Sequence, residues 1–455
     1  MPVNKKYLFF CIALSLLLCD AQIRGSTMLT LFYLGIYMLM LVWTCSHNHT
    51  LPVLLFFVPW SNLMRISPTS YSFFTLGLVL ICGVSIIRGR LKVKNYALLT
   101  GICILFLTLL SKLLDGSSLA LNYIAFLMML VILPAVKEEN GSGEYDFYHL
   151  VVFFSLGIVI AALCAMEYAT YPNIAKFIQV DAYNVVLRRC GFYADANFYT
   201  AQITAAIGGC LTLLLRETRK DRTTFLVVLL FLLIYSGALS ASKSFVLITG
   251  IMVLAWMNQL LHMEGRVGLK ILLLFVVLTM GVVVATSSLF TELIEVISVR
   301  FSRTTDLNSF TTNRIEIWES YLDELITDAK VFFLGRGYTN VKINGRGSHN
   351  TILQMFHQFG LLGAPFLLYW VSCFLRDIPS GGKSRKEHRQ SILIVALGVY
   401  LPWLAIDALF FDDFFLLQWY AFMAMQQTLQ SRPTAIFRGS ADGTPVPRIR
   451  FRGVQ

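Results

Sequence analysis

The sequence predicts an all-α, polytopic membrane protein of about fourteen transmembrane helices, with one long extracytoplasmic loop carrying an amphipathic helix. Three observations predict it. Of 455 residues, 56% are hydrophobic and only 14% charged, with mean hydropathy +0.68; a soluble domain averages about 25% charged residues. Apolar runs of roughly 17–25 residues, each long enough to cross a bilayer core as a helix, recur along the chain. The polar–apolar alternation that an outer-membrane barrel needs is absent.

The elements follow in order. Lys5 and Lys6 precede an apolar run, but Leu16, Leu17 and Leu18 stand before Cys19 where a cleavage site needs small residues. The segment therefore reads as a retained first span, entering from the cytoplasm. Hydropathy then places spans at about 27–45, 48–60, 71–87, 96–114, 118–136, 147–168, 197–215, 225–241, 243–261, 270–288, 352–375, 391–409 and 413–429. With that count, the basic segments 88–94, 216–222, 266–270, 376–389 and the tail after Ser431 all fall on one side, and both termini are expected in the cytoplasm. The organisation is a bundle over 1–288 with an outside loop at 171–196, a large outside loop over 289–351, further spans over 352–430, and a basic tail over 431–455 attracted to anionic headgroups.

Charge and cysteines exclude several classes. The net charge is +11, but the basic residues lie between apolar segments, which is membrane topology and not a nucleic-acid surface. Most of the 9 cysteines sit in apolar runs as small hydrophobes, and Cys190 alone in an outside loop makes no disulfide framework. No Cys/His spacing points to a metal, and no Asp-x-Asp lies in the outside loops.

The two outside segments carry arginines on the side where they are rare. Arg188 and Arg189 either snorkel to headgroups or hold an anion. Asp195 or Asn197 is expected to cap the helix that follows. In the long loop, Thr and Asn cap candidates precede a stretch in which Ile315, Trp318, Leu322 and Leu325 share one face. Arg314 opens that helix, a poor place for a cation on dipole grounds, so it either pairs with a carboxylate or serves a ligand. Arg336 lies in a glycine-flanked turn, Arg346 follows, and His349 with Asn350 stands where the loop becomes a helix. Asp407, Asp412 and Asp413 read as a solvated turn, with a spare acid or base as the alternative.

These motifs, in this order, resemble the O-antigen ligase and O-antigen (capsular polysaccharide) polymerase superfamily, over about residues 59–370. The resemblance is carried by Arg188-x-x-Gly191 with Asp195-x-Asn197, the hairpin over 237–244, and Asn313-Arg314-x-x-x-Trp318. Leu334-Gly335-x-Gly337 and His349-Asn350 followed by Gly360-Leu361-Leu362-Gly363 complete it. Ala194 and Ala196 depart from the pattern, and a proline expected before the Asn is missing.

The resemblance implies an inverting, metal-independent glycosyltransferase of the bacterial cytoplasmic (inner) membrane, without a cofactor, acting on undecaprenyl-diphosphate-linked oligosaccharide. Arg188, Arg189 and Arg314 would hold the diphosphate, with Arg336 or Arg346 in support, and His349 would position or deprotonate the acceptor hydroxyl. Asp195, Asn197, Trp318 and Asn350 would support them. The early segment 59–68 looks like capsular polymerases, which favours polymerase over ligase. The family also implies a flippase and a chain-length regulator as partners. A transporter of lipid-linked sugar is the reading from another class. It expects charges inside the spans, and the few candidates (Lys112, Glu167, Lys243, Asp407) lie near span ends.

Overall fold

The computed structural model describes residues 5–46, 49–88, 92–119, 121–140, 146–178, 182–183, 186–187, 189–193, 195–262, 268, 270–271, 298, 313–339, 342–376, 385–410 and 413–430. The helices are α1 (Lys5–Ile23), α2 (Thr27–Ser46), α3 (Thr50–Phe57), α4 (Phe73–Ile87), α5 (Asn95–Asp115), α6 (Leu121–Asn140), α7 (Phe147–Glu167) and the short α8 (Pro172–Ala175). Then come α9 (Ala196–Leu214), α10 (Lys220–Ala238), α11 (Lys243–His262), α12 (Arg314–Thr327), α13 (Ala329–Leu334), α14 (Thr351–Arg376), α15 (Arg385–Tyr400) and α16 (Asp413–Gln430). The only paired strands among the described residues are β1 (Ala182–Tyr183) and β2 (Val186–Leu187), antiparallel, within the segment 171–196.

Among the described residues 7 helices are long and apolar enough to cross a membrane: α1, α2, α5, α7, α10, α11 and α14. The protein is thus an all-α membrane protein, while the expected span at 270–288 beyond residue 271 and the basic tail lie outside the described residues. The expected span at 48–60 differs from the expectation in kind. It is an α-helix of 8 residues continued by a 3-10 turn, Val58–Trp60, and every residue from Thr50 to Trp60 is buried in protein. At 1.5 Å per residue this reaches only about 16 Å, against a hydrocarbon core of about 30 Å. Hydropathy could not separate this enclosed segment from a span, because both are continuous apolar runs.

Hydrogen bonds sort the helix ends into two groups. At one end Gln22 donates to the carbonyls of Leu63 and Arg65, Asn62 Nδ2 to Phe192 O, Ser111 Oγ to Gly335 O, and Tyr193 OH to Asp413. At the other, Arg88 donates to Cys45 O, Arg222 pairs with Asp146 and Glu217, and Lys137 Nζ donates to Phe374 O. Successive helices therefore alternate in direction. Arg88, Arg216, Arg219, Arg222 and Arg376 stand at the second end, and the turns around residues 62, 192, 242 and 349 stand at the first.

Candidate functional site

The first end of the bundle is built on a break in α14. Gly360 has φ +61° inside this helix, and around the break the carbonyls of His357 and Gln358 accept from the backbone N–H groups of Arg336 (3.0 Å) and Gly337 (2.8 Å). Only glycine fits either partner of this contact. A Cβ on Gly335 would lie 2.2 Å from Gln358 O, and one on Gly360 would lie 2.3 Å from Phe333 O. The glycine motifs at 334–337 and 360–363 are thus one backbone-on-backbone joint.

Above the joint, a tight hairpin turns at Asn344 and Gly345, both at positive φ, and leads to His349. The His349 turn is held from two sides. From one, the Asp407 carboxylate accepts from Ser348 Oγ, from the His349 N–H at 3.0 Å and from the Asn350 N–H at 3.4 Å. From the other, α12 supplies Trp318 Nε1 to Ser348 O (2.9 Å) and Tyr321 OH to Arg346 O (3.1 Å). Burial pushes the Tyr321 phenol up to about 12, so it keeps the proton it donates. Asn350 then caps α14, its Oδ1 accepting from the N–H groups of Ile352 and Leu353. Held this way, His349 sits at φ +47°, a left-handed backbone that a histidine rarely adopts. Its Nδ1 is enclosed and has no hydrogen-bond partner among the described residues.

The second arm is the stretch 189–193. Cys190, Phe192 and Tyr193 are buried, while Arg189 is exposed and donates its backbone N–H to Leu239 O at 3.1 Å. Asp195 caps α9, accepting from the Asn197 N–H at 2.6 Å, as expected of one of the two. Asn197 does something else. Its Oδ1 accepts from Ser242 Oγ (2.9 Å) and Ser244 Oγ (3.0 Å), tying the start of α9 to the 237–244 hairpin. Arg188 lies outside the described residues.

The structure brings His349, Asn350, Trp318 and Arg346 onto one frame, with Arg314 half-buried at the first position of α12, one turn before Trp318. Arg346 is exposed at the hairpin. Arg336 has another engagement. Its guanidinium pairs with Glu324 and lies 3.7 Å from Asp328, so it joins α12 to the α13 turn. Burial opposes the charge on Glu324, but hydrogen bonds from His357 and Arg336 outweigh it and hold the carboxyl below its ordinary value.

The expected face of α12 is also displaced. The buried stripe is Ile317, Tyr321 and Leu325, spaced i, i+4, i+8, and Asn313 stands at the N-cap at φ +60° without a side-chain capping bond. Trp318, Leu322 and Leu325 instead line an apolar groove of about 490 Å³ against Phe332, Leu353 and Phe356. That groove begins at Asn350, beside His349, and reaches Leu361 beyond the break in α14.

Two residues escaped the sequence reading. Asp407 was expected in a solvated turn, yet it is half-buried and fully engaged by the His349 turn. Asp413 is buried and accepts from Tyr193 OH and Gln202 Nε2. The only signal was three carboxylates beside one short turn between apolar runs. No cluster of three or more His, Cys, Asp or Glu placed to hold a metal ion occurs among the described residues. No family model matches this chain, and no curated protein matches it.

Proposed function

We propose that this protein is a membrane glycosyltransferase that polymerises oligosaccharide repeats carried on undecaprenyl diphosphate. The observation that carries the reading is the His349 turn. A histidine is fixed in a left-handed conformation by Asp407 and Trp318, with Nδ1 unpartnered among the described residues, beside an apolar groove and an exposed arginine. An enclosed polar atom without a partner is uncommon in a packed protein and suits a group that meets its partner only when substrate binds.

In this reading the acceptor hydroxyl attacks C1 of the donor sugar and gives its proton to the His349 imidazole, which acts as the general base. The C1–O bond to the diphosphate breaks, its electron pair leaves with the lipid diphosphate, and the configuration at C1 inverts. The negative charge that develops beside a low-dielectric bilayer is met by Arg189, Arg314 and Arg346, with Arg188 from the same segment. Guanidinium suits this role because its forked donors match phosphate oxygens and it stays charged. The groove accommodates the first isoprene units. Arg336 is left out, since Glu324 and Asp328 already use it. In this reading the end of the bundle rich in short basic loops is cytoplasmic, which the positive-inside rule favours, and the site faces outward from a bacterial inner membrane.

The test is purified protein in nanodiscs with a lipid-linked repeat as sole substrate, products resolved by size, and His349→Ala alongside. A ladder of lengthening glycans that vanishes in the variant is the expected result. Transfer only after a lipid or protein acceptor is added makes the protein a ligase. No transfer with either acceptor overturns the enzyme reading in favour of transport.

A further inference from the structure

Asp407 and Asp413 lie close together in sequence but reach opposite arms of the site. Asp407 takes the Ser348 hydroxyl and the N–H groups of His349 and Asn350. Asp413, only 6% exposed at the start of α16, takes Tyr193 OH at 2.8 and 2.9 Å from its two oxygens, and Gln202 Nε2 at 2.7 Å. Gln202 Nε2 also lies 2.5 Å from the Tyr193 oxygen, so phenol, amide and carboxylate form a closed triangle.

Tyr193 is the deep end of the stretch that presents Arg189. The rest of that stretch is held by Asn62 Nδ2 on Phe192 O (2.8 Å) and by the Arg189 N–H on Leu239 O (3.1 Å). With Cys190, Phe192 and Tyr193 at 1%, 0% and 5% exposure, the stretch is a buried mount whose exposed side chain is Arg189. Burying a carboxylate is expensive unless donors meet it, and an apolar residue would fill the same space at less cost. A space-filling role therefore does not account for Asp413. A role in orientation does.

We infer that Asp413 is a positioning residue which, acting through Tyr193, fixes Arg189 at a set spacing from His349. The His349 turn is fixed to the chain segment that leads into α16, and the Arg189 stretch is fixed to the start of α16 itself. The group that handles the acceptor and the cation that meets the donor phosphate then share one anchor. The inference rests on the function proposed above for those two groups. It adds that their spacing is maintained by a pair of aspartates, neither of which touches substrate.

The variant that tests it is Tyr193→Phe, which removes one hydroxyl, keeps the buried ring and leaves Asp413 at the helix start. Two measurements are made on the full chain in nanodiscs. One is the Kd for undecaprenyl diphosphate alone. The other is hydrogen–deuterium exchange of the peptide covering 189–193. The expected result is a Kd raised about tenfold, the scale of one hydrogen bond to a charged group. Exchange at 189–193 should be at least several-fold faster, with the thermal midpoint little changed. Asp413→Ala should behave the same way, and the double variant no worse than Asp413→Ala, because both act through one contact. Wild-type Kd and wild-type exchange in a folded Tyr193→Phe overturn the inference. If the wild-type protein binds no lipid diphosphate, the functional reading fails by itself. The exchange measurement still decides whether Asp413 holds the stretch: faster exchange supports the anchor, and unchanged exchange overturns it.

Discussion

Gly335 packs on the backbone just before Gly360, and Gly360 on the backbone just before Gly335, so closely that neither has room for a methyl group. A Cβ would lie 2.2 Å from Gln358 O on the first and 2.3 Å from Phe333 O on the second. Both also have positive φ, at +74° and +61°. Gly360→Ala therefore suffers a backbone clash and a left-handed strain together. It should lower stability by at least about 2 kcal/mol. A thermal-midpoint measurement in detergent checks this, and a stable Gly360→Ala would mean that α14 is not broken there.

Asp407 is the acceptor for the Ser348 hydroxyl and for the His349 and Asn350 N–H groups. Asp407→Asn keeps an acceptor oxygen but loses the charge, whereas Asp407→Ala leaves these donors without an acceptor. On a scale of about 1.5–3 kcal/mol for a hydrogen bond to a charged group, glycan transfer should fall about tenfold in the first and about a hundredfold in the second. Initial rates at saturating donor give the comparison.

Trp318→Phe is a milder probe of the same turn. It keeps an aromatic ring against the groove and removes the N–H that meets Ser348 O at 2.9 Å. One neutral hydrogen bond is worth about 1 kcal/mol, so the rate should drop about fivefold with expression unchanged. A variant as active as wild type would show that α12 does not fix the His349 turn.

Arg336 and Arg346 separate structure from binding. Arg336→Ala leaves Glu324 without its guanidinium partner and should lower the thermal midpoint, with the affinity for undecaprenyl diphosphate changed little in protein that remains folded. Arg346→Ala removes an exposed side chain and should do the reverse. The opposite pattern would put Arg336 in the anion site.

The same pairing predicts a pH dependence. Glu324 has its carboxyl held below the ordinary 4.5 by His357 and Arg336, against the opposing effect of burial. A lowered folded value means that the pair stabilises fully above about pH 4.5 and that this contribution is lost as pH falls through the folded value. The thermal midpoint of the wild type should drop on acidification below that point. Glu324→Gln, which has no such contribution to lose, should show a shallower drop, and parallel curves would refute the assignment.

Much that is local was legible in the sequence, although the buried face of α12 was not. Continuous apolar runs marked the helices, the Asp195 cap preceded its helix by one residue, and Asn313 with Arg314 marked the start of α12. Contacts between distant residues left no comparable trace. Asp407 and His349 are 58 residues apart, and nothing near either one announces the other. The Leu-Gly-x-Gly and Gly-Leu-Leu-Gly motifs were visible as patterns, but their physical meaning emerged only when Gly335 was placed on Gly360. Hydropathy left the environment of α3 open for a related reason: an apolar run does not say whether lipid or protein surrounds it.

One consequence follows from the backbone of His349. At φ +47° a residue with a side chain carries strain that glycine does not, on the order of 1 kcal/mol. Replacing it by glycine should make the protein harder to melt while abolishing the proposed glycan transfer. A library of random variants, sorted only for survival of heat, should therefore enrich His349→Gly. Heat resistance alone, measured without any substrate, would then point to the strained turn.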